Sequence, residues 1–329
     1  MKAIAVLVLL GLCVPGVPRG VQSSKSQVVR REGSIDAMGS VTTIVAYGES
    51  SAWLQTAISE ALNEMRRLDD LLSNYKPHSE WSEMNRIAAE QPFNASEELF
   101  HLLEICVDDS RRSEGTFDIS VGPLMKVWGF YKGSGHLADS GAISAALDSV
   151  GYKKIILDPK TRTVRFAAEG MELDPGGVGK GYAVDRMVDI LRKDGVRSAL
   201  VSAGGSSIYA LGRPPQNNGW KTDLVDPKKP SEAIETVSLC DESLSTSGSY
   251  EKFFYADGKL WSHIMDPRSG YPSQGMRSVS VIAPKTLDSE VWAKPYYILG
   301  RRWTAQHKQT GFKVFLCEEK PGASCSWID

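Results

Sequence analysis

The chain has 329 residues, 42% of them hydrophobic and 24% charged, with a formal net charge of −2. That is an ordinary globular composition, long enough to bury a large core in one elaborate domain or two modest ones. The near-neutral balance supplies no basic field for a phosphate backbone, which sets nucleic acid aside as a partner.

Met1-Lys2 is followed by "AIAVLVLLGLCV" and then Pro15, Gly16 and Pro18, which reads as a secretory signal over residues 1–22. The apolar run is shorter than the ~20 residues a spanning helix needs, so export with cleavage downstream of Val14 is expected. Lipid attachment at Cys13 is the lesser alternative, because Leu12 is bulkier than the small residue usual before a lipidated cysteine. A polar lead-in covers 23–31, and with no repeat or linker-length break after it, 32–329 reads as one unit.

Within that unit "AMGSVTTIVAYG" reads as a strand, and Trp53 to Leu72 as a helix burying Trp53, Ala57, Ile58, Ala61, Leu62, Met65 and Leu68. A second helix spans Ser96 to Arg112, capped by Ser96, with Leu99, Phe100, Leu103 and Cys106 turned inward. Strand pairs follow at "KKIILDPKTRTVRFA", at "RSALVSAGGSSIYALG" and at "EKFFYADGKLWSHIMD", where Asp257-Gly258 is a hairpin signal. The stretch 212–220 is a surface loop. The tail gives a strand "RSVSVIAP", a helix Leu287 to Leu299 ending at Gly300 and kinked at Pro295, and a last strand "GFKVFLCEE". Helices mixed with hairpins make the fold class α+β. Of the cysteines beyond the leader, Cys106, Cys240, Cys317 and Cys325, none has zinc-site spacing. Cys317 and Cys325 are close in sequence, and their pairing stays open.

One stretch, "MELDPGGVGKGYAVDRMVDIL" from Met171 to Leu191, carries more than architecture. Gly176, Gly177 and Gly179 allow close backbone approach, and Val184, Met187, Val188 and Leu191 repeat at helical spacing behind them. Unpaired N–H groups at a helix start, with Lys180 beside them, suit a phosphate. Neither the P-loop pattern nor the dinucleotide fingerprint is met, since Gly181 follows the lysine and the glycines fall at 176, 177, 179 and 181. A tight strand-to-helix connection fits the same letters.

Four stretches in order, "GTFDISVGPLMKVWGF", "DPGGVGKGYAVDR", "STSGSYEKFF" and "HIMDPRSGYP", resemble the ApbE-type flavin transferases. With "AMGSVTTIVAYG" and "LLSNYKPHSEWSEMN" ahead of them, the likeness covers nearly the whole chain after the leader. The resemblance implies a T-fold type α+β architecture that binds FAD and magnesium and transfers FMN from FAD to a Thr or Ser hydroxyl of an acceptor protein. It also implies a periplasmic or cell-envelope location, with peripheral membrane contact allowed.

Residue by residue, it places Tyr75 beside the flavin, where an aromatic plane stacks, and Met38 where a thioether lies on a ring. A packing Met or a core Tyr is the plainer alternative. Thr116, Phe117 and Asp118 fall where backbone and acid meet the cofactor, though Asp118 also suits a turn cap. Asp174 and Lys180 contact the FAD, Ile264 lines it, and Ser247 and Gly248 resemble a phosphate-side loop. His263 is the general base, since an acceptor hydroxyl must lose a proton near neutral pH, and Asp266, Pro267 and Gly270 form the turn that places it.

The resemblance fails at the metal. The family carbonyl corresponds to Gly177, but the positions of the ligating Asp and Thr carry Glu290 and Lys294, and an ammonium ligates no cation. An exposed i,i+4 pair is the bland reading of those two. Three readings remain open: FMN transferase, FAD-holding relative with little chemistry, and FAD pyrophosphatase giving FMN and AMP.

Overall fold

The computed structural model describes residues 28–319 and 325–329. The leader and Cys13 lie outside the described residues. Eight antiparallel strands form the main sheet, in the order Val29–Ala37, Ser40–Gly48, Ala199–Ala203, Ser207–Leu211, Glu242–Gly248, Met276–Ala283, Lys313–Glu318 and Cys325–Ile328. Mixed helices and antiparallel pairs match the expected α+β class.

The stretch expected as one strand, 37–48, is instead the second half of a hairpin. Met38 and Gly39 both have positive φ, 50° and 71°, the two-residue turn whose twist suits paired strands. The hairpin's first strand begins at Val29, inside the segment read as a polar lead-in, because at the sheet edge Arg30, Arg31 and Glu32 remain exposed while their backbone pairs with Tyr47, Ala46 and Val45.

One face of the sheet carries the helices. The helix Ser51–Leu72, capped by Ser50 Oγ, buries Leu54, Ala57, Ile58, Ala61, Met65, Leu68 and Leu72. Trp53 and Leu62, expected inside, are only partly buried, and the face is rotated to admit Leu54. This helix packs with Gly179–Lys193 over Ile44, Ala46, Val201 and Ala203. The helix Glu97–Arg112, with Ser96 Oγ accepting the Leu99 N–H at 3.2 Å, sends Leu99, Phe100, Leu103 and Cys106 into a second cluster. That cluster also holds Val279, Val281, Val314 and Leu316 from the sheet and Val291 and Trp292 from the C-terminal helix.

The opposite sheet face is covered by a long hairpin, Trp220–Asp226 with Lys229–Leu239, which the sequence pattern did not reveal. Its charged residues Lys221, Asp223, Glu232 and Glu235 face solvent, while Trp220, Leu224 and Leu239 pack on Ile208, Leu244 and Phe315.

The C-terminal helix Thr286–His307 keeps helical dihedrals through Pro295; its break is at Gly300, φ 74°. The kink expected at Pro295 is thus displaced to the glycine, which adopts the positive φ at no Cβ cost. Cys317 and Cys325 form a disulfide between neighbouring strands, directly opposite each other in register.

Candidate functional site

The site is built on the turn 173–179. Its entry is clamped from the short helix Glu80–Ile87: Trp81 Nε1 and Asn85 Nδ2 donate to the Leu173 carbonyl at 2.9 and 2.8 Å, and the Leu173 N–H donates to Asn85 Oδ1 at 2.8 Å. Asp174 then caps the single turn Pro175–Gly177, accepting the Gly176 N–H at 2.7 Å, and Asn74 Nδ2 donates to its other oxygen at 3.3 Å. Burial pushes the Asp174 carboxyl up from its ordinary value, offset in part by that N–H. One residue past the turn, Lys180 projects to donate to Ser206 Oγ at 2.6 Å.

Gly181 explains why no serine or threonine follows the lysine. A β-carbon there would lie 2.6 Å from Glu290 Oε2, 2.8 Å from the Thr286 carbonyl oxygen and 3.0 Å from Leu287 Cα. The glycine-turn helix and the C-terminal helix therefore meet at this residue. Across the contact, the Asp185 carboxylate accepts the Thr286 and Leu287 N–H groups at 2.7 and 2.9 Å, capping the C-terminal helix from its neighbour. Burial raises the Asp185 carboxyl to about 6.

That register aims Glu290 and Lys294 at the turn. Glu290, 4% exposed, accepts the Gly181 N–H. Lys294 Nζ donates to the Gly177 carbonyl at 3.2 Å and to the Glu290 carbonyl at 2.8 Å. The exposed i,i+4 pair is therefore overturned: the helix face carrying these residues is turned inward by the Gly181 contact.

These groups line a cavity of about 1230 Å³. Of the residues singled out from sequence, Met38, Tyr75, Thr116, Phe117, Asp118, Asp174, Gly177, Lys180, Ser247, His263, Ile264, Glu290 and Lys294 all border it. Gly248 is not in the wall, and neither it nor Ser247 belongs to a loop. Both end the sheet strand Glu242–Gly248, opposite Ser278 and Val279, because the run's serines bond inward, Ser245 Oγ to Ser289 Oγ at 2.8 Å and Thr246 Oγ1 to Ser280 Oγ at 2.8 Å. Hydroxyl partners let a poor strand former sit in the middle of a sheet.

Asp118 borders the cavity as a turn cap. One carboxylate oxygen accepts Ser120 N–H and Oγ–H at 2.8 and 2.7 Å, the other the Tyr152 N–H at 2.6 Å. Thr116 Oγ1 likewise donates inward, to the Ser113 carbonyl at 2.7 Å. Together with Phe117 these residues shape the wall.

At the cavity's open end Tyr75, 53% exposed, stacks on Tyr131, ring centroids 4.9 Å apart and planes 19° from parallel. Tyr75 Oη donates to the Tyr131 carbonyl at 2.6 Å, and Tyr131 Oη donates to the Asn74 carbonyl. Beside them the hairpin tip enters, its Met38 N–H donating to Asp69 Oδ1 at 3.0 Å while Lys76 holds the other Asp69 oxygen.

His263 stands deeper. Its Nδ1 lies 3.2 Å from the Lys252 carbonyl oxygen, which accepts only, so the proton sits on Nδ1 and Nε2 carries the lone pair. Burial, with Lys252, Lys294 and Lys180 nearby, lowers its pKa to about 4, so the ring is neutral at physiological pH. Asp266 accepts the Gly270 N–H at 2.9 Å, closing the turn expected after the histidine, and the Arg268 side chain holds its carboxylate.

Sequence reasoning missed Asp69, Asn74, Asn85, Tyr131, Asp185, Ser206 and Lys252. Asn74, Asn85, Asp185 and Lys252 lay within quoted motifs, but nothing in spacing separates them from surface residues; their roles come from distant chain. Magnesium, expected from the resemblance, does not fit the donors present. The Gly177 carbonyl already accepts from Lys294, the Glu290 carboxylate from Gly181, and the remaining position of the expected set carries an ammonium, which ligates no cation.

Comparison with known proteins agrees with the fold. The ApbE family model matches residues 38–316. An FAD:protein FMN transferase of Klebsiella pneumoniae is 34% identical over 268 residues, 80% of each chain, and one of Salmonella typhimurium is 27% identical over 94% of this chain and 90% of its own. Among solved structures, the ApbE protein of Thermotoga maritima superposes with a TM-score of 0.83 at 26% identity, covering 91% of this chain and 96% of its own. The apo flavinyl transferase ApbE of Pseudomonas stutzeri gives 0.82 at 27% identity, with 92% and 96% covered.

Proposed function

The chain belongs to the ApbE family, and from that premise we propose that it is a transferase that moves FMN from FAD onto a Thr or Ser hydroxyl of an acceptor protein. The observation that carries the reading is the convergence, in one cavity, of an aromatic lip, a glycine turn with Lys180, and a neutral His263 whose Nε2 is free to accept. A cavity of this size exceeds the roughly 300–1,000 Å³ of drug-sized sites and suits a dinucleotide.

The flavin belongs at the tyrosine lip and the diphosphate at the turn and its lysines. His263 Nε2 takes the proton as the acceptor oxygen attacks the phosphorus of the FMN half. The P–O bond to the AMP half breaks, and AMP leaves with the electron pair. Such chemistry depends chiefly on positioning and charge stabilisation, which the fixed ammonium of Lys180 supplies. His263 needs no deprotonation to act, because burial already keeps it neutral.

The assay is the full chain with FAD and a peptide bearing one acceptor threonine. The expected result is AMP release matched by FMN-labelled peptide, seen by chromatography and mass spectrometry. AMP and free FMN without labelled peptide would establish the pyrophosphatase instead; FAD bound without AMP release would establish the flavin-holding relative.

Export rests on the leader 1–22 alone. With it, the acceptor is an exported flavoprotein subunit in the periplasm or cell envelope. Intact mass of exported material should show a start downstream of Val14; a full-length N-terminus or lipid on Cys13 overturns that.

A further inference from the structure

We infer that this chain supplies its own cation at the diphosphate, the Lys294 ammonium, and that it binds and cleaves FAD without a divalent metal. The inference rests on the reading of the cavity as an FAD site. Around Lys294 Nζ the chain assembles hard oxygen donors, the Gly177 and Glu290 carbonyls at 3.2 and 2.8 Å, with the Glu290 carboxylate on the same helical turn. Oxygens so arranged suit a hard cation, and here the cation is covalently part of the helix.

Three features make this a built position. Gly177 is packed on the lysine stem, a β-carbon there falling 3.5 Å from Lys294 Cε and 3.8 Å from Nζ. The helix that carries Lys294 is locked to the glycine-turn helix by the Gly181 contact and the Asp185 cap, so the backbone from which the ammonium reaches the turn is fixed in place. Finally, an ammonium has three donors; two are engaged with carbonyls, which leaves the third for an anionic oxygen in the cavity that Lys294 borders.

Lys180 and Lys252 border the same cavity. Three ammonium groups offer a diphosphate its counter-charge, with Glu251 and Glu290 in the same wall opposing them. Burial lowers the Lys294 pKa, with Lys180 acting in the same direction and Glu290 opposing both. An incoming diphosphate favours the charged form, so FAD and the protonated lysine reinforce each other.

The test titrates full-length protein with FAD, following flavin fluorescence, in EDTA and again with excess magnesium, and separately titrates manganese by its paramagnetic resonance in the presence of FAD. The same FAD affinity in both buffers and no stoichiometric manganese are expected. Lys294→Met should weaken FAD about tenfold to a hundredfold, the loss of one charged hydrogen bond. The double substitution Lys294→Thr with Glu290→Asp should make binding and AMP release magnesium-dependent. FAD binding by the unmodified chain that collapses in EDTA, or one tightly bound manganese, overturns the inference while leaving the transferase reading intact. EDTA-insensitive binding with AMP release in EDTA supports the inference; EDTA-insensitive binding with no AMP release in either buffer keeps the lysine as the diphosphate's cation but overturns metal-free cleavage and sinks the transfer reading, and absence of FAD binding in both buffers overturns both.

Discussion

The two ends of the cavity hold their ligand-facing groups by different means. At the lip, Tyr75 and Tyr131 are accessible rings, each pinned by its hydroxyl to backbone beside the other, so the two rings hold one another across more than fifty positions of chain. At the floor, Glu290 and Lys294 are held by backbone groups of the glycine turn and its helix, Lys180 by the Ser206 hydroxyl and His263 by the Lys252 carbonyl, so their places depend on several packed segments. Recognition of a flat ring tolerates local adjustment, whereas charge placed for phosphoryl chemistry needs a rigid frame, since electrostatic stabilisation depends on donors fixed before the reaction. Substitutions at the floor should therefore damage turnover or folding, with affinity falling too where a lysine is lost, and those at the lip only affinity.

The largest effect is expected at His263. Replacing it with Ala should cut AMP release by roughly 10²- to 10⁴-fold, the usual worth of a positioned general base, with FAD affinity unchanged. Equal losses in affinity and rate would show that His263 also binds FAD, blurring the contrast. The unmodified enzyme should keep its rate from neutrality downward until His263 protonates near pH 4. Because the folded-state value lies below the ordinary 6.5, the unfolded chain takes up this proton first, so His263 lowers stability progressively as pH falls from 6.5 to about 4. A rate that halves near pH 6.5 would contradict the buried, neutral imidazole.

Next comes Gly181→Ala, which forces a β-carbon against Glu290 and the Thr286 carbonyl and should cost about 1–3 kcal/mol in urea unfolding. Transfer should fall with it because Glu290 and Lys294 are displaced together. Asp185→Ala removes the cap that two backbone N–H groups share and should cost about 0.5–2 kcal/mol, with turnover affected more than FAD binding. At the lip, Tyr75→Ala forfeits a stacking face, about 0.5–1.5 kcal/mol or a few-fold in Kd, while turnover at saturating FAD stays the same. Tyr75→Phe keeps the ring and loses only the bond to the Tyr131 carbonyl, so it should change affinity least. A lip substitution that lowers saturated turnover would break the division between the two ends.

The capped helix Glu97–Arg112, the Asp257-Gly258 hairpin and the strands Met276–Ala283 and Lys313–Glu318 were legible because each states its own period and punctuation locally. The same holds for the glycine turn, where residue type alone allows close approach. The strand Glu242–Gly248 and the hairpin over 220–239 were not legible: serines and charges there are tolerated only because the sheet supplies hydrogen-bond partners on one side and solvent on the other. Asp118 shows the converse, a residue noted for a cofactor whose oxygens are engaged by Ser120 and Tyr152.

By itself, then, the sequence determined the long helices, the hairpins that carry their own turn signals, the family and the oddity of a lysine at 294, since these depend on residue types at fixed short spacing. Only the tertiary structure decided what that lysine does. Spacing places Glu290 and Lys294 on one helix face but is silent on which way the face turns. The direction is set by Gly181, over a hundred positions away in the chain, whose missing β-carbon lets two helices touch and brings the ammonium onto the Gly177 carbonyl.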